Sequence, residues 1–146
     1  MEELRLTEKS VNYTIDGNKV VCDVEFEFST DPINNAIAYN HRAANIVRGN
    51  ITSNKLIRYK GHMQYRTKIV AKGLAICSPN DTFDENLGKK IAHSKAIIKG
   101  YNKYKKILSV SQNSLYDKSV NMYNNIKRIE KITKREKKHL SNLVNS

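Results

Sequence analysis

Lys19-Val20-Val21-Cys22-Asp23-Val24-Glu25-Phe26-Glu27-Phe28-Ser29 is the stretch on which the fold turns. Val20, Cys22, Val24, Phe26 and Phe28 share one side of an extended chain, and Val21, Asp23, Glu25 and Glu27 share the other. Successive strand residues point to opposite faces, so this is a half-buried antiparallel strand with an acidic outer face. Upstream, Val11-Asn12-Tyr13-Thr14-Ile15 alternates in the same way and ends at Asp16-Gly17, a short hairpin signal because glycine accepts positive φ.

Downstream, Asp31-Pro32 reads as an N-cap and first helical residue. A helix from Pro32 to about Arg48 would align Ile33, Ile37, Ala44 and Val47, with Gly49 as its stop. Leu56–Tyr59 reads as a short strand turning at Lys60-Gly61. Met63 to Cys77 reads as a second long strand. Met63, Tyr65, Thr67, Ile69, Ala71, Gly73, Ala75 and Cys77 share one face; Gln64, Arg66, Lys68, Val70 and Lys72 share the other, a basic stripe. Gly73 in such a strand marks a bulge or a close helix contact.

After the turn through Ser78-Pro79-Asn80-Asp81, a helix is expected from about Asp84 to Leu108, with Leu87, Ile91, Ser94, Ile98 and Tyr101 along its apolar face. Ser109–Asn113 reads as a polar break. Ser114-Leu115-Tyr116-Asp117 then resembles a capping box opening a last helix to about Val144, with Met122, Ile126, Ile129, Ile132, Leu140 and Leu143 in a narrow stripe. The pattern predicts an α+β fold: an antiparallel sheet of three or four strands packed by one helix (residues 1–108), plus a basic C-terminal helical arm (109–146).

The charge is lopsided. The 146 residues carry a net +12. Residues 1–49 hold five Lys/Arg against eight Asp/Glu, net −3, and residues 50–146 hold twenty-one against six, net +15. Such asymmetry points to a polyanionic partner, although AT-rich coding also raises Lys. The candidate nucleic-acid contacts are Arg66, Lys68 and Lys72 on the strand and Lys89, Lys90 and His93 near the start of the next helix. Lys127, Arg128, Lys131, Lys134, Arg135, Lys137 and Lys138 follow on the last helix. All read as phosphate contacts, sensing charge and not base edges. Tyr101 and Tyr104 interleave with lysines; such rings stack on unpaired bases or pack in the core, and Tyr104 is kept as a candidate.

No nucleophile, phosphate-loop or metal-ligand motif stands out, so no catalytic residue, metal or cofactor is expected. Asp81, Asp84 and His93 admit a metal-dependent nuclease, but the two aspartates suit a helix N-terminus better. Cys22 and Cys77 read as small core thiols in a reducing cytosol. With neither a signal sequence nor a membrane-length apolar run, a cytoplasmic protein is expected.

The segment Gly73-Leu74-Ala75-Ile76-Cys77-Ser78-Pro79-Asn80-Asp81-Thr82-Phe83-Asp84 followed by Gly88, Ala92 and Ala96 resembles a motif, GxAxCxPxDxFDxxxGxxxAxxxA, of small uncharacterised phage and prophage proteins of Gram-positive bacteria. It is also similar to the strand-to-helix segment of a domain of unknown function with a double-stranded-RNA-binding-like fold. The resemblance implies antiparallel strands packed by one helix, and mobile-element origin. The function expected is a non-enzymatic phage-type protein that binds RNA or DNA, or a nucleic-acid-containing host complex, as an anti-CRISPR or other anti-defence factor. The alternative is an interaction module dimerising or docking through Met122, Ile126, Ile129 and Leu140 of the last helix.

Overall fold

The computed structural model describes residues 6–29, 31–59, 61–80 and 82–145. The elements run β1 (Thr7–Asp16), β2 (Lys19–Ser29), α1 (Asp31–Ile37), α2 (His41–Arg48), β3 (Ser53–Tyr59), β4 (His62–Ile76) and α3 (Glu85–Val144). The chain has the α+β fold expected: four antiparallel strands in the order β1-β2-β4-β3, with α3 lying across one face.

β1 and β2 pair from Thr7↔Glu27 to Asp16↔Lys19, closed by a tight turn in which Gly17 takes φ +60°. Asn18 ties this tip to the far end of β4: its carbonyl accepts from the Cys77 amide at 2.9 Å, and its side chain donates to the Cys77 carbonyl at 2.8 Å. The alternation of β2 holds at every position. Val20, Cys22, Val24, Phe26 and Phe28 are buried beneath α3, joined from β4 by Thr67, Ile69, Ala71 and Ala75.

The helix meets the sheet along a line of small residues, Ala92, Ala96 and Gly100, continued by Tyr104, Ile107, Ser111 and Ser114. A Cβ on Gly73 would lie 1.8 Å from the Ala92 carbonyl oxygen and 2.6 Å from the Ala96 nitrogen. The backbones therefore touch, and the close-contact reading of Gly73 is the right one. The apolar face expected for this helix is the wrong one: Leu87, Ile91, Ser94, Ile98 and Tyr101 face solvent, Ile98 being 59% exposed. Close packing explains the inversion. The helix backbone touches β4 at Gly73 beside Ala92 and Ala96, and the Phe26 ring fills the space at Gly100, which leaves room only for small side chains along this line.

The expected helix at Pro32–Arg48 is two helices. The chain bends at Ala38–Tyr39, where Tyr39 adopts φ +62°, and restarts at Asn40, whose side chain accepts from the Ala43 amide at 3.0 Å. The restart rotates α2 so that Ala43, not Ala44, is buried beside Val47. Both short helices pack on α3. β3 begins at Ser53, three residues earlier than expected.

The break expected at Ser109–Asn113 is absent, and α3 is one helix of 60 residues, about 90 Å long. Its serines are absorbed instead of capping. Ser111 Oγ donates to the Ile107 carbonyl at 2.7 Å; Ser114 Oγ donates to the Ala36 carbonyl at 2.7 Å and accepts from the Asn40 side chain at 3.0 Å. Core contacts also continue past the expected boundary at 108: Lys118 Nζ reaches the Asn35 carbonyl at 3.1 Å. From residue 119 to 145 every residue of α3 is exposed, so the arm begins about ten residues later than its sequence suggests.

Candidate nucleic-acid interface

The first group of candidate cations lies on the open face of the sheet, opposite α3. β4 runs beside β2, which places the basic stripe against the acidic outer face. Arg66 Nε meets Glu27 Oε1 at 2.8 Å, Lys68 Nζ meets Glu25 Oε1 at 2.5 Å, and Lys72 Nζ meets Asp23 Oδ1 at 3.7 Å. Register explains the geometry. Lys72 is directly opposite Asp23, whereas Arg66 and Lys68 reach one pair along, since their own cross-strand partners are Ser29 and Glu27. The hydrogen bond and charge of Glu25 raise the Lys68 pKa above its ordinary value. Three candidates read as phosphate contacts thus already hold carboxylates, and this face is close to self-neutralised.

The second group surrounds the start of α3. Asp84 is the N-cap, accepting from the Leu87 amide at 3.1 Å, as its sequence context implies. Lys89 Nζ pairs with Glu85 Oε1 at 3.1 Å, one turn back, and lies 5.5 Å from the centre of the Tyr13 ring. His93 Nε2 lies 2.8 Å from Glu8 Oε1, which links α3 to β1. Lys90 is exposed and has no ion pair among the described residues. Asp81 lies outside the described residues, and among those described no three or more His, Cys, Asp or Glu gather as metal ligands.

Tyr104 is no stacking platform. It is 5% exposed, and its ring packs 4.9 Å from that of Phe28. Burial raises its pKa, with the neighbouring Tyr101 adding to the effect. Tyr101 is half exposed and meets Phe26 edge-on at 6.1 Å. The core role wins at residue 104 because the line 92-96-100-104 points at the sheet. Cys22 is buried in the core as expected, while Cys77 sits only half-buried beyond the end of β4; neither forms a disulfide.

The third group differs from the others. Lys127, Arg128, Lys131, Lys134, Arg135, Lys137 and Lys138 all lie on the exposed part of α3, with Lys127–Glu130 at 3.5 Å the only ion pair there among the described residues. At about 100° per residue, six of them occupy one side of the helix. Lys137 borders the opposite side, which carries Met122, Ile126, Ile129, Leu140 and Leu143. Lys99 and Lys106, exposed on the sheet-packed half, fall on the same line as the six. Sequence reasoning passed over them because their alignment with the arm depends on an unbroken helix. No helix among the described residues is long and apolar enough to cross a membrane. Compared with protein-family models, curated proteins and solved structures, the chain matches none.

Proposed function

We propose that the protein is a non-enzymatic binder of nucleic-acid phosphates that works through the cationic side of distal α3. The observation that carries this reading is the contrast between the two basic surfaces. Arg66, Lys68 and Lys72 have carboxylates beside them, whereas Arg128, Lys131, Lys134, Arg135 and Lys138 have no ion pair among the described residues. Like charges held this close on a rigid helix repel one another, and a row of phosphates relieves that repulsion. A single helix edge presents charge at regular spacing without shape for base edges, so the binding is charge-driven. The RNA backbone of a nucleoprotein complex is a target of this chemistry as much as naked nucleic acid, which accommodates the expected anti-defence role.

The test is fluorescence anisotropy with single- and double-stranded RNA and DNA at about 50 and 200 mM salt. Six phosphate contacts predict an affinity loss on the order of 10³ between those salts on duplex DNA. Replacing Lys131, Lys134, Arg135 and Lys138 together by alanine should abolish most of the binding, and replacing Arg66, Lys68 and Lys72 should leave it within a few-fold. Equal losses from both sets, or affinity indifferent to salt, would overturn the reading.

A further inference from the structure

Beyond residue 118, α3 carries a solvent-exposed apolar seam. Its members follow alternating steps of four and three: Met122, Ile126, Ile129, Thr133, Glu136, Leu140 and Leu143. This is the a/d spacing of a coiled coil, with Ile126, Thr133 and Leu140 at a, and Met122, Ile129, Glu136 and Leu143 at d. The cations obey the same frame. Lys127 and Lys134 fall at b, Arg128 and Arg135 at c, and Lys131 and Lys138 at f, all outside the a and d positions of the seam. Shallow hollows lie along this seam: one is bordered by Ile126, Ile129, Glu130, Thr133, Lys134 and Lys137, and another by Thr133, Glu136, Lys137, His139, Leu140 and Leu143. Hollows along a heptad seam receive the knobs of a facing helix.

We infer that distal α3 pairs with a second copy of itself, antiparallel, about a twofold axis between Lys134 and Arg135. Charge and polarity select this arrangement. In the antiparallel register, Ile126 packs on Leu143 of the second copy, Ile129 on Leu140, and Thr133 on Glu136, and each layer is repeated by symmetry. Glu130 and Lys137, both at e positions, then face each other across the seam twice. The two polar seam residues meet at the centre, where the Thr133 hydroxyl, which donates to the Ile129 carbonyl at 3.0 Å in the single chain, turns to the carboxylate. Sliding the helices by one heptad either way sets Glu136 against Ile126 or Leu140. A parallel pair sets Glu136 against Glu136 at the seam, an unpaired like-charge contact. The antiparallel pair leaves the b, c and f cations outward on both helices, so pairing doubles the basic surface without facing it on itself.

Sedimentation equilibrium of the full chain between about 1 and 100 µM tests the inference. The expected mass is twice 16.7 kDa. Ile129→Glu should weaken association about 30-fold or more, as for a central interface residue. Glu130→Lys and Lys137→Glu should each weaken it, and the two together should restore it. All three positions are exposed and remote from the sheet, so the thermal unfolding midpoint of the core checks that the variants fold. A monomer at every concentration overturns the proposal. So does a dimer indifferent to Ile129→Glu, or one that the paired charge reversal fails to restore, since another face or register would then hold it. Anisotropy on nucleic acid reads a separate property, so the fate of phosphate binding is scored independently.

Discussion

Phe26 occupies the space that a side chain at residue 100 would need: a Cβ on Gly100 would lie 2.2 Å from Cε2 of Phe26 and 2.8 Å from two further ring atoms. Alanine normally gains about 1 kcal/mol over glycine inside a helix. Here the overpacking term should outweigh it, so Gly100→Ala is expected to destabilise by about 1–2 kcal/mol. Gly73→Ala should cost more, about 3 kcal/mol, because the obstacle is the backbone of Ala92 and Ala96 and the helix itself must lift. Urea unfolding of both variants checks the sign and the order.

The outer-face ion pairs should differ in worth. Arg66 and Glu27 are 17% exposed each, so a double-mutant cycle should return a coupling of about 1 kcal/mol. Lys72, 67% exposed and 3.7 Å from Asp23, should couple by less than about 0.5 kcal/mol. Denaturant midpoints of the single and double variants supply both numbers.

Alkaline conditions should loosen the fold. The Cys22 and Tyr104 pKa values are raised chiefly by burial above their ordinary 9.0 and 10.0. A raised folded-state pKa means that the native state holds its proton more tightly. The contribution is therefore complete below the ordinary value and is lost as pH climbs through the folded one. Stability should be flat from pH 7 to about 8.5 and decline above 9. The Tyr104 hydroxyl is also buried with no hydrogen-bond partner among the described residues. Tyr104→Phe should thus raise stability at pH 7 by about 1 kcal/mol and reduce the alkaline decline. Unfolding curves at pH 7, 9 and 10.5 test both effects. Unchanged RNA or DNA affinity in the same variant would agree with the buried place of this ring.

A chain ending at Lys118 should keep its core. No residue from 119 to 145 is buried, so the truncated protein should unfold within about 0.5 kcal/mol of the full one, the range of surface changes. It should also lose most nucleic-acid affinity. A large loss of stability would mean that the arm supports the core in the folded chain.

Sequence alone determined the elements whose signals are local. The alternation of β2, the Gly17 turn, the buried face of β4, the cap at Asp84 and the charge of residues 127–138 all follow from periodicity, turn chemistry and composition. Tertiary structure decided what depends on distant partners. Arg66, Lys68 and Lys72 are ordinary strand cations until β2 brings Glu27, Glu25 and Asp23 beside them. His93 is an ordinary helix residue until Glu8 arrives from β1. The buried side of α3 was misread because hydrophobicity ranks Leu87 and Ile98 above Ala92, Ala96 and Gly100. Close approach to Gly73 and to the Phe26 ring chose the smaller residues, and the same line carries Tyr104 onto Phe28. Ser109–Asn113 looked like a break because serine competes for backbone hydrogen bonds locally, yet Ser111 and Ser114 found partners in the fold and the helix ran through.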